Sequence, residues 1–387
     1  MNAAGESLFE SVPNFSEGRD RRVIDAIGVG AGVAGVAGVA GVAGVAGVAG
    51  VAHVLDVDSD VDHNRTVVSL AGFAAGLLSG IMGSVAEAVS LIDVRSHRGV
   101  HPRVGAADVV PIVPLDGTPL SRSREVALAL GTRIWEELHV PVYLYGEHQS
   151  LADIRGGRGR LDIGGPSLHP TAGAVCVGAR PQLMAFNVIL RGTDVADARA
   201  LASSLRESGG GMRGVHALAF SLSGDRVQLS MNLFRLDEVS PAAVVAELVG
   251  RGVLIESEQV VGLCPAVVAS TAAAGRLLEA RLAAAAARAG AERCLSRGGD
   301  EHVALAARLS SESLGLASLG VDQGSLLAGA ERAAALVPVL RAAGVLDGEL
   351  GAMLGVAASG LRAAVTAETA AAYAARVAAL DRRLSVG

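Results

Sequence analysis

Short apolar runs bounded by proline and glycine alternate with segments of helical periodicity over the first two thirds of the chain. This alternation restricts the fold more than any other feature. "DVVPIVPL" and "VPVYLYG" flank "SREVALALGTRIWEELH", which has serine at its start and an amphipathic face, so strand, helix and strand follow in order. Upstream, "HVLDVDSD" and "NRTVVSLAG" read as strands, and "LLSGIMGSVAEAVSLI" as a helix with Ile81, Val85, Ala88 and Val89 on its apolar side. Downstream, "QLMAFNVIL", "DVADARALASSLRES", "GVHALAFSL", "RVQLSMNLF" and "SPAAVVAELVGRG" form a second α/β unit. It reads as a second copy of the first layer arrangement, meeting it across a cleft of the kind that binds ligands. From about residue 268 the sequence turns to Ala, Leu and Arg, which predicts a separate helical domain. The expected architecture is two α/β subdomains, 1–180 and 181–268, with sheets facing each other and helices outside, followed by an all-helical domain over 269–387.

A chain of 387 residues with net charge -6 and 3% aromatics has neither the basic footprint nor the stacking platform of a nucleic-acid binder. Cys176, Cys264 and Cys294 are odd in number and set among apolar or alanine-rich neighbours, which points to a reducing compartment without disulfides or a cysteine zinc site. No basic stretch leads into an apolar one at the N-terminus, so a cytoplasmic protein is expected. Between residues 28 and 52 only Gly, Ala and Val occur. The run is long enough to span a bilayer, but one third glycine and no Leu, Ile or Phe gains little from lipid, and no membrane is expected. Without proline it lacks the extended preorganisation of collagen. It is expected to continue the helix of "RDRRVIDAI" as a low-complexity extension that projects from the fold.

The chemistry concentrates in "HRGVHPRVGAAD", residues 97–108. His101, in a Gly-flanked loop beside Pro102 and Arg103, is either an acid–base group near neutral pH or a hydrogen-bonded structural histidine. Asp93, His97 and His101 recur every four residues, but Gly99 and Pro102 break the helix that would make them metal ligands, and no metal is expected. Arg65 and Arg103 suit bidentate binding of carboxylates or ordinary ion pairs. Asp56, Asp58, Asp60 and Asp62 share one side of an extended chain without the pattern of a calcium loop. Asn187 and Asn232, in apolar strands, must each find a partner or line a wet cavity. The Gly- and Pro-rich stretch from 154 to 174 predicts a ligand-carrying surface loop.

"ESVPNFSEGRD" at 10–20 closely resembles the N-terminal signature of glutamate formiminotransferase, which is also the first part of formiminotransferase-cyclodeaminase. The order of "LDVDSDVDHNRTV", "HRGVHPRVGAADVVPIVPL", "ELHVPVYLYGE", "LHPTAGAVCVGARPQLMAFNV", "QLSMNL" and "EQVVGLCP" agrees with that family over residues 6 to about 268.

The resemblance implies two α/β subdomains enclosing a folate-binding tunnel in a homodimer, exchanging a formimino group between N-formimino-L-glutamate and tetrahydrofolate in histidine degradation and one-carbon metabolism. It assigns acid–base chemistry to His101 of the "HPR" motif. Arg65 and Arg103 would hold carboxylates, with Asn64, Asn187 and Asn232 also binding substrate. Asp58 of the "DVD" segment is the candidate to orient or charge-stabilise the imidazole. The folate loop maps to Gly164, Gly165, Pro166, Ser167, Leu168, His169, Pro170, Thr171, Ala172 and Gly173. The C-terminal helices stand where bifunctional relatives carry cyclodeaminase, but lack a "GGGS"-like start, so a packing or dimerisation role is expected of this degenerate region. Two alternatives accompany this reading: formyl transfer from 5-formyltetrahydrofolate to glutamate, and a non-catalytic folate-binding protein.

Overall fold

The computed structural model describes residues 6–32, 52–147 and 149–384. The chain divides into two compact units, Met1–Leu263 and Cys264–Gly387. The division falls a few residues before the change in composition at 268.

A seven-stranded mixed sheet dominates the first unit. Its strands are β1 (Leu8–Ser11), β2 (Asn14–Phe15), β3 (His53–Asp60), β4 (Arg65–Phe73), β5 (Ala107–Pro114), β6 (Val142–Tyr145) and β7 (Val175–Ala179). β1 and β2 both lie antiparallel between β4 and β5. They are two strands because Pro13 has no N–H to donate to a ladder, although its carbonyl still accepts from Val68 at 3.0 Å. β7 runs parallel to both β5 and β6, and so enters between the two strands that α3 (Leu120–Leu138) joins. One face packs Val68, Leu70, Val110 and Ile112 against Leu77, Ile81 and Val85 of α2 (Ala74–Leu91), and Leu130 and Ile134 of α3 continue that core. Each such side chain, when fully buried, contributes roughly 1.5–3 kcal/mol. The helices cover this face, so the other is left for chemistry. α3 begins after Pro119, not at Ser123 as its sequence suggests; the serine is buried inside the first turns.

Asp20 caps α1 (Arg21–Gly30) through a hydrogen bond from Arg22 N–H. The helix takes in the first three residues of the Gly/Ala/Val run, and it approaches α2 where a Cβ on Gly83 would lie only 1.8 Å from the Gly30 carbonyl. Residues 33–51 of the run, and with them the expected projection, lie outside the described residues.

The second sheet is not a copy of the first. β8 (Met184–Arg191), α5 (Val195–Leu205), β9 (Val215–Ser221), β10 (Val227–Leu233), α6 (Pro241–Gly250) and β11 (Leu254–Val261) give four strands in the order β11-β8-β10-β9. Every neighbouring pair is antiparallel, the split β-α-β arrangement. Val215, Ala217, Val227, Leu229 and Met231 alternate on its buried side. Sequence periodicity found β8, β9 and β10 but passed over β11, whose "LIESEQVV" is largely exposed and charged.

The second unit is helical: α7 (Leu278–Arg297), α8 (Asp300–Ala317), α9 (Gln323–Ala342) and α10 (Gly348–Leu384). α7 buries Ala283 through Ala287 in succession, small side chains that let neighbours approach on several sides. α2 and residues 348–367 of α10 are long and apolar enough to cross a membrane by length and composition, but α2 packs its Leu77, Ile81 and Val85 into the core of the first sheet.

Candidate active site

Three segments of the first sheet converge on its open face: the β3–β4 turn, the start of β4 and the loop from His97 to Val104. The turn is held by Asn64, which adopts φ 48°, a left-handed conformation that asparagine tolerates better than most residues. Its Oδ1 accepts from Gly18 N–H at 2.8 Å, its Nδ2 donates to the Arg98 carbonyl at 3.0 Å, and its own carbonyl accepts from His97 Nε2 at 2.9 Å. Three motifs distant in sequence therefore meet on one asparagine, which braces the site. Gly99 fits beneath the turn because a Cβ there would stand 2.3 Å from the His63 carbonyl.

His101 is held from two sides. Nδ1 lies 2.7 Å from the Pro102 carbonyl, while Nη1 of Arg65 lies 2.5 Å from Nδ1 and 3.0 Å from Nε2. A guanidinium only donates and a carbonyl only accepts, so a neutral ring that donates Nδ1–H to Pro102 has Nε2 to accept from Arg65 at 3.0 Å, the closer approach of Nη1 to Nδ1 being donor against donor in that tautomer. Burial, with the cationic Arg65 and Arg155 adding to it, pushes His101 well below the ordinary histidine range. The ring is therefore unprotonated and open to take up a proton, while the same burial and cations weaken it as a base until an anionic ligand offsets them.

Arg65 is itself oriented by its neighbours. Its Nε donates to Asn14 Oδ1 at 2.8 Å, and Nη1 lies 3.5 Å from Asp108. Burial lowers Arg65 to about 10, with Asp108 opposing the shift. Asp108 is 2% exposed in its side chain, accepts from Val104 N–H at 2.6 Å and pairs with Arg155 at 2.7 Å. Arg103 turns its guanidinium onto the carbonyls of His97, Gly99 and His101 at 3.0–3.3 Å, bracing the loop that carries His101. Three guanidiniums around one carboxylate leave the corner positive, which suits an anionic ligand.

Asp58 shares the open face with Arg65 through the β3–β4 register, and its carboxylate accepts from Gly262 N–H at 3.0 Å, at the end of β11. The second sheet meets this corner elsewhere too. Asp62 pairs with Arg226 at 3.0 Å, and the Phe220 ring lies 5.2 Å from His63 and 5.9 Å from His101. Phe220 opposes Gln228 in the β9–β10 register, so these residues share a face with Asn187 of β8 and with Asn232 farther along β10. Asn187 is buried, with Nδ2 3.5 Å from Gln259 Oε1. Asn232 is exposed four residues beyond Gln228, about 13 Å along the strand.

The glycine-rich loop ends against the same segment. Gly105 and Gly173 bridge so closely that a Cβ on Gly105 would stand 1.9 Å from the Ala174 carbonyl, and Gly173 has φ 72°. Ala172 is buried, donates to His169 Nδ1 at 3.0 Å and accepts from Ala106 N–H at 2.9 Å; the Thr171 carbonyl accepts from Val94 N–H. Gly164, with φ 100°, lies against Trp135, where Gly165 also passes, while Pro166, Ser167, Leu168 and Pro170 are exposed. Sequence reasoning missed Asn14, Asp108, Arg155, His63, Phe220 and Gln228. Asp108 carried a signal, a carboxylate opening an otherwise apolar strand; Asn14 and Arg155 join the site through long-range contacts with Arg65 and Asp108, and His63, Phe220 and Gln228 through the meeting of the two sheets.

Residues 8–180 match the family model described as the formiminotransferase domain, N-terminal subdomain. A glutamate formimidoyltransferase of Thermoplasma acidophilum is 36% identical over 288 residues, covering 67% of this chain and 88% of that protein. One from Streptococcus pyogenes serotype M1 is 33% identical, covering 67% and 89%. The formimidoyltransferase-cyclodeaminase of Rattus norvegicus is 34% identical, but the matched region spans only 50% of it.

Proposed function

Because the chain belongs to the glutamate formimidoyltransferase family, we propose that it exchanges the formimidoyl group between N-formimidoyl-L-glutamate and tetrahydrofolate as co-substrate. The observation that carries the proposal is His101, its ring held between the Pro102 carbonyl and the Arg65 guanidinium in a positively charged corner between two sheets. His101 takes the proton from the reduced folate nitrogen as that nitrogen bonds to the formimidoyl carbon, and returns it to the glutamate nitrogen as its bond to the same carbon breaks. The proton lost by one amine is thus the proton gained by the other. Arg65 releases the ring to engage a glutamate carboxylate, and Arg103 supports the same carboxylate with donors left over from the loop carbonyls. Asn64 contributes by holding the turn against the loop, and Asn187 and Asn232 extend the polar lining along the second sheet.

The imidazolium formed in transit needs negative charge nearby. Asp108 supplies it through Arg65, and Asp58 is assigned the same role from β3. The loop from Gly164 to Gly173 is assigned to the folate, where glycine backbone permits close approach of a flat ring. We assign the chain to the cytoplasm as a homodimer acting in histidine degradation and one-carbon metabolism, with a packing role for the helical unit and without resident metal, membrane or nucleic acid.

The test is a side-by-side assay of N-formimidoyl-L-glutamate with tetrahydrofolate and of 5-formyltetrahydrofolate with glutamate. Faster turnover of the first pair supports the proposal. Faster turnover of the second makes this a formyltransferase, and folate binding without turnover of either leaves only a binding protein.

A further inference from the structure

One buried group facing this corner has no role in the chemistry above. Gln228 is 1% exposed, and its Nε2 has no hydrogen-bond partner among the described residues. Buried amide donors in folded proteins nearly always find a partner, because an unpaired one forfeits its hydration without return. The side chain does not belong to the helix-covered core of its sheet: Val227 and Leu229, its neighbours on β10, point to that side, and Gln228 points to the other. Directly across the strand pair is Phe220, whose ring touches both His63 and His101. His63 is 8% exposed and its Nε2 is likewise unpartnered. Two unsatisfied polar atoms therefore flank one aromatic ring beside the proposed proton acceptor, and a ligand that supplies polar atoms there would satisfy them.

The kind of ligand group follows from charge. Carboxylates are met by the guanidiniums of Arg65, Arg103 and Arg155, whereas Gln228 is neutral and lies beside an aromatic ring. That environment favours the edge of a neutral heterocycle. In a reduced 4-oxo pteridine, the lactam oxygen and the nucleophilic N5 sit on adjacent ring carbons, so a donor placed on that oxygen also fixes where N5 points. Resting on the folate reading of the site, we infer that Gln228 is a positioning residue that donates from Nε2 to the pteridine lactam oxygen and so turns N5 toward His101.

Replacing that oxygen by an amino group converts an acceptor into a donor and provides the test. Binding of tetrahydrofolate and of its 4-amino counterpart is measured by calorimetry on the full chain of wild type, Gln228→Leu and Gln228→Glu, with kcat and KM for tetrahydrofolate alongside. Wild type is expected to prefer the 4-oxo ligand by roughly 10- to 100-fold. Gln228→Leu is expected to lose most of that preference through weaker 4-oxo binding, with the 4-amino ligand unchanged within about twofold and no fall in thermal midpoint, since an unpaired amide gives way to an apolar side chain of similar size. Gln228→Glu, which retains the shape and offers an acceptor, is expected to shift the preference toward the 4-amino ligand. Undiminished discrimination in Gln228→Leu, or equal weakening of both ligands, overturns the role of Gln228 while leaving the transferase reading intact. Failure of wild type to bind either pteridine overturns both.

Discussion

Nη1 of Arg65 stands 3.0 Å from Nε2 of His101, while the other ring nitrogen lies 2.7 Å from the Pro102 carbonyl. Burial, with Arg65 and Arg155 adding to it, keeps the imidazole neutral in the folded protein, and that has a consequence for stability. The folded ring takes up its proton only well below the ordinary histidine value, whereas in the unfolded chain it does so near 6.5. Below about 6.5 the unfolded state binds the extra proton, so stability falls as pH falls, by up to ~1.4 kcal/mol per pH unit for one such group. His63, His97 and His216 are displaced in the same direction by burial and add to the effect. Denaturant unfolding at pH 7 and pH 5 should show a smaller difference for His101→Gln than for wild type; an identical difference would remove the neutral ring from this account.

Arg65 serves Asn14, Asp108 and His101 with one planar fork, which a lysine ammonium cannot reproduce. Arg65→Lys is therefore expected to lose roughly 10- to 100-fold in kcat/KM, mostly through a higher KM for the glutamate substrate. Steady-state kinetics with each substrate varied in turn decides it, and an unchanged KM would place the carboxylate elsewhere.

Asp108 and Asp58 separate under the same substitution. Asp108→Asn leaves Arg65 and Arg155 without their common buried carboxylate and should destabilise the protein by about 3–5 kcal/mol in urea unfolding. Asp58→Asn retains an oxygen for the Gly262 N–H and should shift the urea midpoint little, while kcat falls if its charge supports the imidazolium. Full kcat in Asp58→Asn would assign the residue to joining β3 and β11 alone.

The close approach at Gly99 is a test of loop placement. A Cβ there meets the His63 carbonyl at 2.3 Å, so Gly99→Ala must displace the loop that carries His101. A loss of roughly a hundredfold in kcat is expected, since displacements of about 1 Å at a reacting group have effects of that size. Hydrogen exchange on the same variant should show the loosening confined to the loop and the β3–β4 turn.

How far the sequence revealed this arrangement depended on the range of the interaction. β5, α3 and β6 were legible because their apolar periods and Pro/Gly boundaries are local. β11 was not, because an exposed edge strand bearing Glu256 and Glu258 has no apolar alternation to detect. His101 and Arg65 stood out as residue types in loops, but their hydrogen bond joins positions 36 residues apart. Arg103 and Asn64 stood out as polar side chains, but their hydrogen bonds to backbone groups of neighbouring loops were not legible, because those partners come close only in the folded chain. Gln228 was invisible in "RVQLSMNLF", since a glutamine on the open side of a strand is ordinary until a second sheet covers it.

The most direct test of the central claim is His101→Ala, assayed for tetrahydrofolate-dependent loss of N-formimidoyl-L-glutamate, with folate binding measured on the same preparation. The account expects folate affinity within about threefold of wild type and a fall in kcat of roughly 10²–10⁴, the range of a lost acid–base group. A variant that binds folate and keeps its rate within tenfold of wild type would contradict the assignment of His101.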